Sequence, residues 1–162
     1  MTEHQDSFKL SCDEESVLEL CIEVEEACAE LYRYFERVFD DDRELSELWG
    51  RTAREEDEHA EQFRVAARLK GVGVEGIRNE IYAVQALLQT VQDYLERDDA
   101  VPSPADALAF ALEVEVSLAE FHMDSVLNFS DHHLEQVFLT HLKCDNTHVA
   151  QLQEALQRWK QN

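Results

Sequence analysis

Basic residues are scarce in this chain. Lys and Arg number 14 against 36 Asp and Glu, for a formal net charge of −22. So negative a surface repels phosphate backbones and anionic headgroups, which argues against nucleic acid or a membrane as partner. Glycine (4) and proline (2) are nearly missing, so the chain must form long elements with short connections. No stretch nears the roughly 18–20 apolar residues that span a bilayer. The opening Met1-Thr2-Glu3-His4-Gln5-Asp6 has neither the basic start nor the apolar run of a secretory signal, and a cytoplasmic location is expected. Cys12, Cys21, Cys28 and Cys144 contain no Cys-x-x-Cys pair, which argues against a zinc knuckle and leaves reduced core thiols.

What remains is a chain of 162 residues, 44% hydrophobic, with apolar positions at helical spacing. Leu18, Cys21, Ile22, Glu25, Cys28, Ala29, Tyr32, Phe35 and Phe39 share one stripe. Asp40-Asp41-Asp42 ends that helix and caps the next. The second carries Leu45, Leu48, Trp49, Glu56, His59, Ala60, Phe63 and Ala67, and should close at Gly71-Val72-Gly73. A third helix is expected from Ile77 to Glu96. Ser103 or Asp106 caps the fourth, whose inward residues run from Leu108 through Glu115 and His122 to Phe129. After a short turn at Ser130-Asp131, the last helix runs through Leu134, His141, Asp145 and His148 to about Trp159. The expectation is a single all-α domain over residues 1–162, with a polar tail at 1–13 and a crossover at 72–104.

The pattern repeats. Glu23-Val24-Glu25 and Ala29-Glu30-Leu31-Tyr32 return as Glu113-Val114-Glu115 and Ala119-Glu120-Phe121-His122. Glu56-x-x-His59 and Gln62 return as Asp145-x-x-His148 and Gln151. The chain therefore reads as two related helical hairpins joined by a crossover that holds the third helix.

Four carboxylates fall inside the apolar stripes: Glu25, Glu56, Glu115 and Asp145. A buried, unpaired carboxylate is expensive, so each needs a cation or a proton. Glu25 and Glu56 stand equidistant from the Asp40–Asp42 turn, and Glu115 and Asp145 from Ser130, which puts all four in one layer. His59 and His148 follow their carboxylates by one helical step and share their faces. Such a set suits two divalent cations, with oxygen and imidazole donors favouring iron or manganese and zinc as a common substitute. Single acid-x-x-His pairs arise by chance in so acidic a chain; the joint pattern of burial, height and repeat is what carries the argument.

These residues resemble the rubrerythrin and ferritin-like superfamily. The match rests on Glu25 with Tyr32-Arg33-Tyr34-Phe35, on Leu48-Trp49 ahead of Glu55-Glu56-Asp57-Glu58-His59-Ala60, and on Glu115 with Asp145-x-x-His148. The resemblance implies a ferritin-like four-helix bundle around a carboxylate-bridged dimetal centre, usually di-iron, reacting with peroxide or oxygen. By position, Glu56 and Glu115 would bridge or terminate, Glu25 and Asp145 would complete the ligand set, and His59 and His148 would each bind one metal. Tyr32, His122 and His141 are candidates to lie just outside the ligands, or are ordinary core positions. Asp145 stands where the family usually has Glu. Leu118 replaces a further Glu of the peroxide-reducing members, which puts peroxidase activity in doubt. With no rubredoxin domain in the chain, electrons would come from a separate donor protein.

The leading expectation is thus a di-iron oxidoreductase acting on peroxide or oxygen. The alternatives are an iron oxidation and storage protein, or a non-catalytic helical interaction protein with a structural metal. Ile77 and Leu87, as exposed apolar residues of the crossover, would suit a homodimer. His132-His133 reads as a solvated helix start, and Cys28 as a buried inert thiol.

Overall fold

The computed structural model describes residues 12–68, 72–74, 80–97, 100–120, 127–129, 132–133, 135–136 and 145–161. Helix α1 (Cys12–Val38) is long and one-sided: Val24, Cys28, Leu31, Tyr32 and Phe35 are buried at helical spacing. The acidic turn that follows closes onto α2 (Arg43–Arg68). Asp42 accepts the Leu45 amide on its Oδ1 at 3.1 Å, which satisfies one orphan donor and contributes about 1 kcal/mol. The two helices form an antiparallel hairpin, edged by Arg33–Asp57 and Arg64–Glu26 ion pairs. These pairs are partly exposed and contribute little beyond register.

Inside the hairpin the large side chains set the spacing. Trp49 stacks on Tyr32, with ring centroids 5.8 Å apart, and tilts against Phe35 at 4.9 Å. Helix α3 (Glu80–Leu95) lies on α1 through Leu87, Leu88 and Val91. Phe35 meets Tyr94 edge-on at 5.7 Å, and Tyr94 stacks on Phe110 at 4.1 Å, so aromatic contacts run from α1 through α3 into α4 (Pro104–Glu120). Ser103 caps α4: its Oγ accepts the Asp106 amide at 3.2 Å and donates to Asp106 Oδ2 at 2.7 Å. Proline at the first helical position has no amide to leave unsatisfied. Helix α5 (Asp145–Gln161) packs along α4. The result is a helical bundle of two packed pairs, α1–α2 and α4–α5. Among the described residues, no helix is long and apolar enough to cross a membrane.

Several expectations need correction. Helix α4 is helical only to Glu120 among the described residues, and Leu127–Phe129, expected inside it, is a strand β2. It pairs antiparallel with β1 (Val72–Val74), with Gly73 opposite Asn128. Helical spacing cannot separate a short apolar strand from a helical turn, and Val72 and Val74 carry the branched side chains that favour a pleat. For the same reason Val72 and Gly73, expected at the end of α2, belong to a strand; α2 is described over Arg43–Arg68, and Gly71 lies outside the described residues. Ala66, not Ala67, faces the core at the end of that helix. Helix α3 is described over Glu80–Leu95; Ile77, its expected start, lies outside the described residues. Of the last helix, residues 132, 133, 135 and 136 are helical and α5 begins at Asp145; the stretch between, with His141, lies outside the described residues. Leu87 is buried at 8% exposure and so offers no dimer surface, and Ile77 lies outside the described residues.

Candidate metal centre

Four helices each deliver polar side chains to one buried layer. Glu25 comes from α1, Glu56 and His59 from α2, Glu115 from α4 and His148 from α5, and none is more than 4% exposed. The hairpin register explains the first three. Glu56 and His59 sit one turn apart on the inner face of α2, between buried Ala53, Ala60 and Phe63, opposite Glu25 on α1. Helices α4 and α5 bring Glu115 and His148 to the same layer from the other side.

The donors fall into two groups. Glu25, Glu56 and His59 present one atom each within 4.8 Å of one another, and Glu56, Glu115 and His148 do the same. Glu56 belongs to both. Its Oε2 lies 3.2 Å from Nδ1 of His59, and its Oε1 lies 3.1 Å from Nδ1 of His148. Glu25 Oε2 is 3.8 Å from His59 Nδ1, and Glu115 Oε2 is 3.6 Å from His148 Nδ1.

A cation fits this arrangement on the structure's own terms. Glu25 Oε2, Glu56 Oε1 and His148 Nδ1 are buried atoms with no hydrogen bond, and buried polar atoms are ordinarily satisfied. All three face other polar atoms of the cluster, with Glu56 Oε1 and His148 Nδ1 3.1 Å apart and Glu25 Oε2 3.8 Å from His59 Nδ1. Carboxylate oxygens with imidazole nitrogens are the donor set of borderline and hard divalent metals.

Electrostatics supports the same conclusion. Burial and the Glu56 carboxylate push Glu25 up to about 8. Burial disfavours a charged His59, but its 3.2 Å contact with Glu56 and the charges of Glu25 and Glu56 outweigh it and raise the imidazole to about 12. His148 is raised to about 11 against the same penalty by Glu115 and Glu56. Without a cation, protons must therefore neutralise the cluster at neutral pH.

Among the described residues, Tyr32 and Glu55 hold donors from outside the two groups. Tyr32, fully buried, donates its phenol to Glu115 Oε1 at 2.5 Å. Burial and the Glu115 charge keep that phenol well above its ordinary range, so it stays a donor. Tyr32 thus lies beside the cluster, as one of its two sequence readings had it. Glu55, which sequence reasoning passed over, accepts from His148 Nε2 at 2.5 Å. The other imidazole nitrogen, Nδ1, is left to face the cluster. Only its place beside Glu56, on the flank of α2, could have marked Glu55. That flank meets α5 again where Arg51 donates to Gln151 and Arg158 to Glu44, an antiparallel polar edge of which Glu55–His148 is the innermost pair.

Asp145 begins α5, but its side chain lies outside the described residues, as do His122 and His141. His132 and His133 are exposed, and His132 Nδ1 contacts Glu135 Oε2 at 2.8 Å. Cys28 is a free, buried thiol, pushed well above its ordinary range by burial and then by Glu56, Glu25 and Glu115, which makes it a poor nucleophile. Cys21 is free and half-buried, raised to about 12 by burial and Glu25. No family model matches the chain, and no curated protein or solved structure matches it either.

Proposed function

We propose that the chain is a dimetal carboxylate protein, with iron the favoured metal, that reduces hydrogen peroxide or oxygen in the manner of rubrerythrins. The observation that supports this most is the shared carboxylate: Glu56 faces both donor groups and so suits a bridge between two cations. Glutamates from two helices, joined by histidines one helical step from acids on two others, make up the donor arrangement of di-iron and di-manganese bundles. Asp145, placed by the repeat opposite Glu56, would complete the set.

Bound there, the metal pair would supply electrons and Lewis acidity to the oxygen substrate. The chain's residues supply the rest. Glu25 and Glu115 offset cationic charge from opposite sides, and Glu55 keeps His148 turned inward. The raised phenol of Tyr32 holds a proton at Glu115 Oε1. Ala53, Ala60, Phe63 and Trp49 wall the layer from water. With Glu25, Glu56, His59, Glu115 and His148 each at most 4% exposed, a substrate of a few atoms suits the site, which fits peroxide or oxygen. The electrons would come from a separate donor protein.

Leu118, half-buried against the core of α4, favours a second reading. An apolar side chain there removes a ligand used by peroxide-reducing relatives, and the centre would then oxidise or store iron without peroxide turnover. Stopped-flow mixing of the anaerobically Fe(II)-loaded chain with hydrogen peroxide separates the two. Oxidation much faster than that of free Fe(II) supports peroxide reduction; oxidation no faster than free Fe(II) rules it out and leaves iron handling with oxygen.

A further inference from the structure

Glu115 and Glu25, the unshared acids of the two donor groups, are held differently. His148 donates through Nε2 to Glu55, and Tyr32 donates to Glu115, each at 2.5 Å. Glu55 and Tyr32 belong to neither donor group. Glu115 and His148, the described donors of the α4–α5 pair, are thus fixed by residues of the α1–α2 hairpin. Their inward atoms, His148 Nδ1 and Glu115 Oε2, stand 3.6 Å apart, and Glu56 Oε1 lies 3.1 Å from the same nitrogen.

Glu25 is held otherwise. Its Oε2 has no hydrogen bond, and its polar contacts run to His59 and Glu56, members of its own donor group. A cation entering that half must rearrange the contacts that hold Glu25. A cation entering the other half leaves the Glu55–His148 and Tyr32–Glu115 bonds in place. Donors fixed beforehand lose less freedom on binding, and an outer carboxylate also makes the imidazole a better ligand.

We propose that Glu55 and Tyr32 are positioning residues that make the Glu115–His148 half the first to take up metal, so that the protein passes through a one-metal state. The inference rests on the dimetal reading of the same site. Metal-free full-length chain is titrated with Mn(II) and followed by electron paramagnetic resonance. The first equivalent is expected to give the spectrum of an isolated ion, and the second to replace it with that of a coupled pair. A coupled spectrum growing from the first addition overturns the proposal.

Variants locate the first ion. His59→Ala should keep the first binding step and His148→Ala should lose it; the reverse result overturns the assignment. Glu55→Ala should weaken the first step at least tenfold, within the range that outer partners of metal-bound histidine command. Glu55→Gln, whose carbonyl still accepts from His148, should restore most of it. Tyr32→Phe keeps the ring on Trp49 and should weaken the first step alone. An unchanged first step in Glu55→Ala, with native circular dichroism, contradicts the positioning role. If the wild-type chain binds no Mn(II), the dimetal reading falls as well; if it binds two ions without order, only this inference falls.

Discussion

Glu56 and His148 meet across the two helical pairs, with Oε1 of the carboxylate 3.1 Å from Nδ1 of the imidazole. The other oxygen of Glu56 faces His59, so one side chain serves both donor groups. Glu56→Ala is therefore expected to abolish binding of both metals, whereas Glu25→Ala should leave one. Metal content after dialysis against Mn(II) or Fe(II) measures the difference.

The metal-free chain should lose stability as pH rises. His59 and His148, raised to about 12 and about 11, contribute stability that is fully present below about 6.5 and lost as pH passes through those raised values. Glu25, raised to about 8, binds more protons folded than unfolded between its ordinary value and 8, so its contribution also declines with pH in that window. Metal binding reverses the trend, because the ligands must lose those protons. Thermal melting from pH 6 to pH 9 should give a falling Tm for the metal-free protein and a widening gap to the loaded one. Metal addition at neutral pH should release protons to an indicator dye.

Removing the phenol of Tyr32 leaves Glu115 Oε1 without its donor in a buried layer. Tyr32→Phe should destabilise the metal-free chain by about 1–3 kcal/mol, the desolvation cost of an unsatisfied buried group. Urea unfolding of the two metal-free proteins tests this.

Trp49 contributes packing rather than a hydrogen bond, since its indole Nε1 is buried without a partner. Trp49→Ala opens a cavity beside Tyr32 and Phe35 and should cost about 3–5 kcal/mol. Trp49→Phe loses no polar contact and should cost clearly less. Chemical denaturation of both variants decides between packing and polar roles.

The sequence carried the bundle and the inner layer because both depend on periodicity and burial. Glu25, Glu56, His59, Glu115 and His148 each stand among apolar neighbours at helical spacing, and helix geometry then leaves little choice of where they point. The strand pair Val72–Val74 with Leu127–Phe129 was illegible because three residues are too few to show a period. Glu55 was missed for a different reason. It lies on the flank of α2, half-buried, where nothing in local spacing distinguishes an acid that meets α5 from one that meets water. Leu87 was misplaced because a crossover helix can turn its apolar face either way, and here α1 receives it.

The central claim is that these buried acids and histidines hold two metal ions, and metal content tests it most directly. The chain is purified without added metal, loaded anaerobically with Fe(II), desalted and measured by mass spectrometry beside a variant carrying Glu56→Ala and His148→Ala. Close to two ions per chain, lost in the double variant, is the expected result. No stoichiometric metal in the wild-type chain would contradict the account and mean that protons alone neutralise the cluster.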